Sequence, residues 1–576
     1  MKRNVFLILP VALVFNSCFS GALDFGLTGS GDTSGSTYVS EYSQDDEGDD
    51  IALTTFARTI TITFSTTGAA TVSGDEHGIV SVSGNDVTVD NSAYDEAVRY
   101  ELSGTATDGF FKLYSANKQA IVLNGLHLTN KNGAAINNQS KKRTFVVLQG
   151  SNTLADGASY TGTPDEEDEK AACFSEGQLV FSGDGSLTVN ATGKAGITSD
   201  DYVRFLGTQK VSVSSTAGHG VRGKDAVVIT SGTLGITVSA AGKKGISTDG
   251  DVIIDGATTT ITVSGGVDSS DSSDLSGSAG IKADGVFTIN DGLLTITNSG
   301  QGGKGISSDQ QGYFNGGTVQ VTVTGANYGS SGNGGFGGPG GFGGFGGSSS
   351  SSDNSVAAKA IKFDGDLLFA DSTVNAVAKN HEAIESKGTV DITAGRVYAQ
   401  SSDDAINAAS HLTISGGLVC AYSTGNDGLD ANGDMYIKGG VIYAIGAGGA
   451  EVALDANTEG GHKLYVSGGT LFAIGGLENG AQLSQNCYSA SSWSKNTWYA
   501  LSVGDDTWAL KTPASGGNGL VVSGAGKPTL KSGVSVSGGT TVFAGMGAID
   551  ATCSGGSGVS LSSYSGGNAG GMPGFW

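Results

Sequence analysis

Proline and methionine are scarce: the 576 residues hold 6 and 4 of them. Charge is scarce too, at 15 % of residues, and it leans one way, with 31 Lys and Arg against 55 Asp and Glu and a net −24. That balance argues against nucleic acid as a partner, because phosphate binding draws on clustered Lys and Arg. It is compatible with cations, and with neutral or cation-bridged polymers. The 5 cysteines are dispersed. Cys173, Cys420, Cys487 and Cys553 form no CxxC pair, so they read as neither a zinc site nor a disulfide framework, although one bridge fits after export. No stretch carries a useful helical periodicity, and no late run is apolar and long enough to span a bilayer. What is abundant is glycine, 97 residues of it, among short alternating runs of Ser, Thr, Val and Ile. This is an all-β composition.

The first residues read as an export signal. Lys2 and Arg3 precede an apolar stretch over residues 5–15, and "FNSC" then resembles a lipoprotein cleavage box ending at Cys18. The expectation is an exported, cell-surface or outer-membrane lipoprotein that meets the membrane only through a lipid on Cys18, with plain secretion as the alternative. Residues 19–50, ending "SQDDEGDD", read as an acidic, Ser-rich tether.

From residue 131 to residue 480 the chain repeats itself. Segments such as "KGISTDGDVIIDG", "AGIKADGVFTIND" and "DDAINAASHLTIS" align on one aliphatic residue: Ile197, Ile246, Ile281, Ile306, Ile361, Ile384, Ile406 and Leu429, with Val221 and Leu454 joining the series. Uninterrupted intervals are 22 to 25 residues. One such unit cannot bury its own apolar side, but stacked units can. The period is half that of a propeller blade, and the Leu/Asn signature of leucine-rich repeats is missing. The expected fold is a right-handed parallel β-helix of roughly a dozen coils, about 60 Å long at one strand spacing per coil. Residues 51–130 read as an N-terminal β cap and 481–576 as a C-terminal β cap with a Gly-rich tail. A Gly-rich loop over 328–355 and a polar insertion over 267–278 leave the rod.

Residues 80–480 carry a resemblance. The run "YELSGTATDGFFKLYSANKQAIVLNGLHLTNKNGAAINNQS", followed by "GI-x-x-DG" coils and a Gly-rich insertion, is similar to the bacterial carbohydrate-binding parallel β-helix proteins, formerly a domain of unknown function. The resemblance implies binding of wall polysaccharides such as polygalacturonate and cellulose, bound calcium, and a likeness in shape to calcium-dependent pectate lyases. The family's acidic "DDGI"-like coils carry over onto Asp403, Asp404 and Asp427; "NHEAIE", with Glu382-Ala383, departs from them.

Stacking turns repeat positions into columns. Two residues before the aliphatic, the late coils read Lys359, Glu382, Asp404 and Asp427; one residue after it, Lys362, Glu385, Asn407, Asp430 and Asp455. Acids one rung apart repel unless a cation sits among them, and oxygen ligands suit calcium. Glu382, Asp403, Asp404, Asp427 and Asp430 are therefore the expected Ca²⁺ ligands. If the protein is instead a polysaccharide lyase, Lys359 or Lys362 is the candidate base. Asp200, Asp249, Asp284, Asp309 and Asp364, often followed by Gly, read first as turn residues. Strand parity puts Tyr398, Cys420, Tyr443 and Phe472 in one outward column, with Tyr422 in the next. The rings Tyr398, Tyr422, Tyr443 and Phe472 suit stacking on sugar; cover by residues 485–510 is the other reading, and closeness in sequence favours it. The "GQGGKG" run at 300–305 joins two strands and opens no helix, so it is no nucleotide loop. The expected protein is a monomeric, calcium-dependent polysaccharide binder, with a lyase and a bare structural rod as rivals.

Overall fold

The aliphatic residues on which the repeat aligns, Ile197 through Leu454, face one another in a single parallel sheet, each in register with the next coil's. All of them are fully buried. The computed structural model describes residues 40–43, 46–161, 164, 167–329 and 355–567. They form an all-β parallel solenoid of about 14 turns, with coils of about 25 residues. Cys18, and residues 330–354 of the Gly-rich loop, lie outside the described residues.

Each coil contributes three short strands, one to each face. The first face is a 15-stranded sheet carrying the aliphatic markers. The second contains strands such as Leu412–Ile414, and the third strands such as Leu418–Ser423. The second and third faces belong to one 30-stranded sheet, because strands Asp251–Val263 and Phe287–Asn298 run through the corner between them, with a register shift near Asp255. Alternate residues of every strand point inward. They fill the core with Val, Ile, Leu and stacked rings, including Phe181 on Phe205 and Phe314 on Phe369.

The residue before each marker shows how tightly the interior is filled. It is Gly196, Gly220, Gly245, Gly280 and Gly305 in the early coils. A Cβ there would collide with Val213, Ile236, Ile261, Ile296 and Val321 in turn, which form one column of the third face. In the late coils that column becomes Ala376, Ala399, Ala421, Ala444 and Ala473. The marker's neighbour is then free to be Ala360, Ala383, Ala405 or Ala453. Volume is exchanged between the two columns, as close packing requires.

Both ends differ from the sequence expectation. Strand Arg58–Phe64 already pairs in parallel with Val98–Ala106, and that strand with Gln119–Thr129. The solenoid therefore begins inside the segment expected as a cap, and the antiparallel pieces Thr71–Ser73 and Val80–Ser83 do the capping. Nor is the stretch before residue 50 tether throughout. Asp49 is 4 % exposed; it pairs with Arg143 at 2.8 Å and Arg204 at 2.7 Å, while the Tyr202 hydroxyl donates to it. Tyr42, Ile51 and Phe56 pack with Phe145, Val180, Tyr202, Val228 and Ile253 on the second face.

At the far end, Gln482–Leu483 adds one last parallel rung. Leu520–Ser523 then pairs antiparallel with Thr470–Ile474 and with Cys487–Ala490, which pairs in turn with Ser562–Tyr564. A six-stranded antiparallel sheet follows, built from Trp498–Val503, Asp506–Lys511, Thr529–Ser537, Thr540–Val542, Gly547–Ile549 and Thr552–Gly558. Cys173, Cys420, Cys487 and Cys553 are all free thiols.

The exchange of volume gives a test. Gly245→Ala is expected to destabilise by about 1–3 kcal/mol through overpacking, and Ile261→Ala by about 2–5 kcal/mol through a cavity. The double variant is expected to lose less than the sum of the two, because each change relieves the other. Urea melts of the four proteins measure this coupling.

Candidate functional site

Strands Ile361–Phe363, Ile384–Ser386, Ile406–Ala408, Leu429–Ala431 and Leu454–Ala456 are three residues long. The two ends point inward and the middle residue outward. The outward column is Lys362, Glu385, Asn407, Asp430 and Asp455, in register coil by coil. The bend before each strand adds Lys359, Glu382, Asp404 and Asp427 beside it. This is the grouping the repeat implied, but the carboxylates divide into two halves.

In the first half, positive charge is close. Lys359 Nζ lies 2.5 Å from Glu385 Oε2 and 3.3 Å from Glu382 Oε2, and Lys387 binds the other Glu385 oxygen. Burial works against ionising Glu385, yet these ammonium groups hold its carboxyl below the ordinary range. His381 bonds Glu382 and sits 3.2 Å from Asp403; Asn426 donates to Asp403 at 3.0 Å. Glu382 and Asp403, expected as metal ligands, thus already have close partners. With His381 they also form a compact trio of potential ligand atoms within 4.8 Å of one another. Lys359 and Lys362, the candidate bases, are both engaged by carboxylates, Lys362 by Asp364. Burial lowers the Lys359 ammonium's pKa, against the pull of Glu385.

In the second half, amides replace cations. Asp404 Oδ1 accepts the Asp427 N–H at 3.1 Å. The Asn407 side-chain amide donates to Asp404 at 3.1 Å and to Asp430 at 2.7 Å. Asp427 accepts the Val452 N–H at 2.5 Å, and Asp455 shares a hydrogen bond with Glu478. Among the described residues no Lys, Arg or His forms an ion pair with Asp404, Asp427, Asp430 or Asp455. Asp404 and Asp427 are 6 % and 7 % exposed. Burial, reinforced by neighbouring carboxylates, pushes the group up: Asp404 to about 6, Asp430 to about 7, Asp455 to about 8 and Asp427 to about 9. An unbalanced row of buried carboxylates either keeps protons or takes a cation. Its donors are all oxygens, the set a hard divalent cation prefers.

The column expected from the sequence is in register in the structure, and it extends one coil further. Asp455, with Glu478 beyond it, belongs to the row. The signal was present, since Asp455 lies in the same register as Asp430. A second acidic trio, Asp168, Glu176 and Asp200, has Lys170 bonded to both Asp168 and Asp200 and so is largely balanced. Asp249, Asp309 and Asp364 are likewise paired with Arg222, Lys282 and Lys362.

The aromatic column requires a correction. Tyr443 and Phe472 are fully buried and Tyr398 is 4 % exposed. They pack under Tyr499, Leu501, Leu510, Val542 and Phe543 of the C-terminal sheet; Phe472 meets Tyr499 at 5.8 Å, and the Tyr443 hydroxyl donates to the Lys511 carbonyl at 3.0 Å. These rings are interface, with no face left for sugar, and Tyr422 is half-buried at the margin of the same cluster. On the second face Tyr436 and Tyr465, half-buried outward rings, stack at 5.2 Å.

Residues 83–242 match the model of a family described as carbohydrate-binding domain-containing protein, which bears out the resemblance over that stretch. A solved structure of the polysaccharide lyase-like protein from C. thermocellum, a gadolinium derivative, is similar over 43 % of this chain and 94 % of that one, at 22 % identity and a TM-score of 0.34. No curated protein matches the chain.

The raised carboxyls set a sign for pH. Their folded pKa values lie above the ordinary value of about 3.9, so the folded state binds more protons than the unfolded one. Their stabilising contribution is complete below pH 4 and is lost as pH rises through about 6 to 9. In chelator, the melting temperature is expected to fall between pH 5.5 and 9, and less steeply in Asp427→Asn. Thermal melts across that range check it.

Proposed function

We propose that this chain is an exported polysaccharide-binding protein that holds a divalent cation, calcium, in the row Asp404, Asp427, Asp430 and Asp455. The observation that carries the reading is that row: buried and half-buried oxygen ligands on successive coils of one face, with no ion-pair partner among the described residues. The family match over residues 83–242 supports the polysaccharide. The polymer class is the acidic or cellulosic wall polysaccharide that the sequence resemblance implies, with polygalacturonate as the first candidate. Lipidation of Cys18 at the cell surface belongs to the same proposal.

Each residue has a definite part. Asp427 and Asp404, fixed by the Val452 and Asp427 backbone amides, present their remaining lone pairs to the cation. Asn407 orients Asp404 and Asp430 toward each other from between them. A bound calcium supplies the positive charge this row lacks and ties successive coils together; where coordination positions remain open, it can meet uronate carboxylates. Lys359 and Lys387 confine the site by neutralising Glu385 one coil before it.

Two measurements test this. Calcium at 100-fold above its Kd is expected to add about 2.7 kcal/mol to stability, seen as a rise in melting temperature at pH 8. Asp427→Asn and Asp430→Asn should lose that rise, while in chelator at the same pH they should melt no lower than the parent, since an uncompensated buried charge is gone. Polygalacturonate pull-down should require calcium in the parent and fail in Asp427→Asn. If calcium changes neither melting nor retention, the reading is wrong. Unsaturated product absorbing in the ultraviolet, lost in Lys359→Ala, would make the protein a lyase instead.

A further inference from the structure

We infer that a cleft near the start of the solenoid, between Asp86 and Glu169, binds an uncharged oligosaccharide. The inference rests on the polysaccharide-binding reading above and adds to it a second site that needs no cation.

The cleft has a volume of about 430 Å³, and its lining includes Asp86, Asp108, Phe110, Lys112, Asn137 and Glu169. That size falls in the usual range for small-ligand sites, about 300–1,000 Å³. Its floor is the first face of the solenoid. Asp86 lies opposite Phe110, and Lys112 opposite Asn137. Its walls are the bends that lead into those strands, which supply Asp108, Asn130, Asn132 and Thr161. It lies within residues 83–242, the stretch matched by the carbohydrate-binding family.

Most polar groups here already have structural work. Asn130 donates to the Ala134 carbonyl at 2.8 Å and accepts the Asn132 N–H at 2.9 Å. Glu169 accepts the Ala134 N–H at 2.8 Å. Lys112 is bonded to Glu167 at 2.7 Å. Asn137 is different. Its neighbour Ile136 points into the core, so Asn137 points outward, into the cleft. Its Oδ1 accepts from Gln139 at 2.6 Å. Its Nδ2 has no partner among the described residues, although the residue is only 1 % exposed. A buried amide donor left unpaired is costly, and a ligand oxygen arriving in the cleft would satisfy it.

The rest of the lining selects the ligand. Asp86, Asp108 and Glu169 are acids, and the single cation, Lys112, is already paired. Uronates and phosphates are repelled by such a wall. Sugar hydroxyls are suited to it, because they donate to carboxylates and accept from Asn137 Nδ2. Phe110, half-buried and the only aromatic in the lining, offers a ring for the C–H face of a pyranose. A neutral hexose or pentose oligomer meets all three requirements.

The test is calorimetric titration of the full chain with cello-, xylo- and manno-hexaose, and separately with oligogalacturonate, each in calcium and in EDTA. At least one neutral hexaose is expected to bind in EDTA. Phe110→Ala and the near-isosteric Asn137→Asp should each weaken it by about tenfold or more, with Asp427→Asn leaving it unchanged. Asn132→Ala, at an exposed position whose backbone bonds are retained, serves as the variant least able to disturb folding and should weaken binding too. No neutral hexaose bound, or binding indifferent to all three cleft variants, overturns the inference. Binding that appears only with calcium and vanishes in Asp427→Asn also overturns it, in favour of the acidic row. Loss of calcium-dependent polygalacturonate retention alone would sink the cation reading and leave this cleft standing.

Discussion

In-register parallel stacking is the constraint on which everything else depends. Strands one rung apart sit about 4.8 Å from each other, so whatever residue type a repeat places at one position becomes a column of that type. Inward, this is favourable without reservation: aliphatic over aliphatic and ring over ring, as with Phe314 on Phe369 at 4.7 Å. Outward, it multiplies charge. A single Asp on a surface bend costs little, but in the late coils burial raises the pKa values of Asp404, Asp427, Asp430 and Asp455. Neighbouring acids add to it: Asp455 and Asp404 on Asp427, Asp404 on Asp430, and Asp430 on Asp455. The protein resolves this differently along its length. In the early coils Asp200, Asp249, Asp284 and Asp309 are matched by Lys170, Arg222 and Lys282. At Glu385 two ammonium groups do the same. Beyond Asn407 the pairing stops, and a neutral amide stands where the next cation would be.

The periodic part of this was legible in the chain. One aliphatic residue per 22 to 25 positions fixed the first face, and strand parity put Tyr398, Cys420, Tyr443 and Phe472 in one column, which is in register in the structure. The acidic column followed from the same alignment. What failed to follow has a physical reason in each case. The charge balance within the column depends on side-chain reach: His381 and Lys359 lie near Glu382 in sequence, but only the fold shows which oxygens they take. The outer face of Tyr443 and Phe472 was rightly read as apolar and as covered by residues 485–510, which supply Tyr499, Leu501 and Leu510; what did not follow is that strands up to residue 558 complete the covering sheet. The cleft at Asn137 left no periodic trace, because its walls are bends of unequal length, where the repeat is weakest.

The two ends explain which surface remains for ligands. Tyr42, Ile51 and Phe56 lie on the second face over Phe145, Val180, Tyr202 and Ile253, with Asp49 pinned between Arg143 and Arg204. The C-terminal sheet lies on the third face over Tyr398, Cys420, Tyr443 and Phe472. Each cover meets an apolar outer column, which is the condition for a stable contact. The first face has no such column in its late coils. Its outward residues there are Lys362, Glu385, Asn407, Asp430 and Asp455, which no apolar cover would bury without desolvating charge.

The same face therefore carries both the acidic row and, some ten coils earlier by the register of the sheet, the cleft. Their chemistries are complementary rather than redundant. Of the cleft's acids, Asp86 stands on a strand, while Asp108 and Glu169 stand outside the strands and accept backbone N–H groups. The row's acids are stacked, underprotonated only at a cost, and call for a divalent charge. Pairing along the first face is unbroken from Asp86–Asn91 through Leu454–Ala456, so the spacing between the two sites is set by the number of rungs and not by a hinge. A wall of acids that repels uronates and a row that would gather them through a cation suit different polymers, so one regular chain would not serve both. Because the ladder between them is unbroken, two such polymers would be held at a spacing set by the rungs.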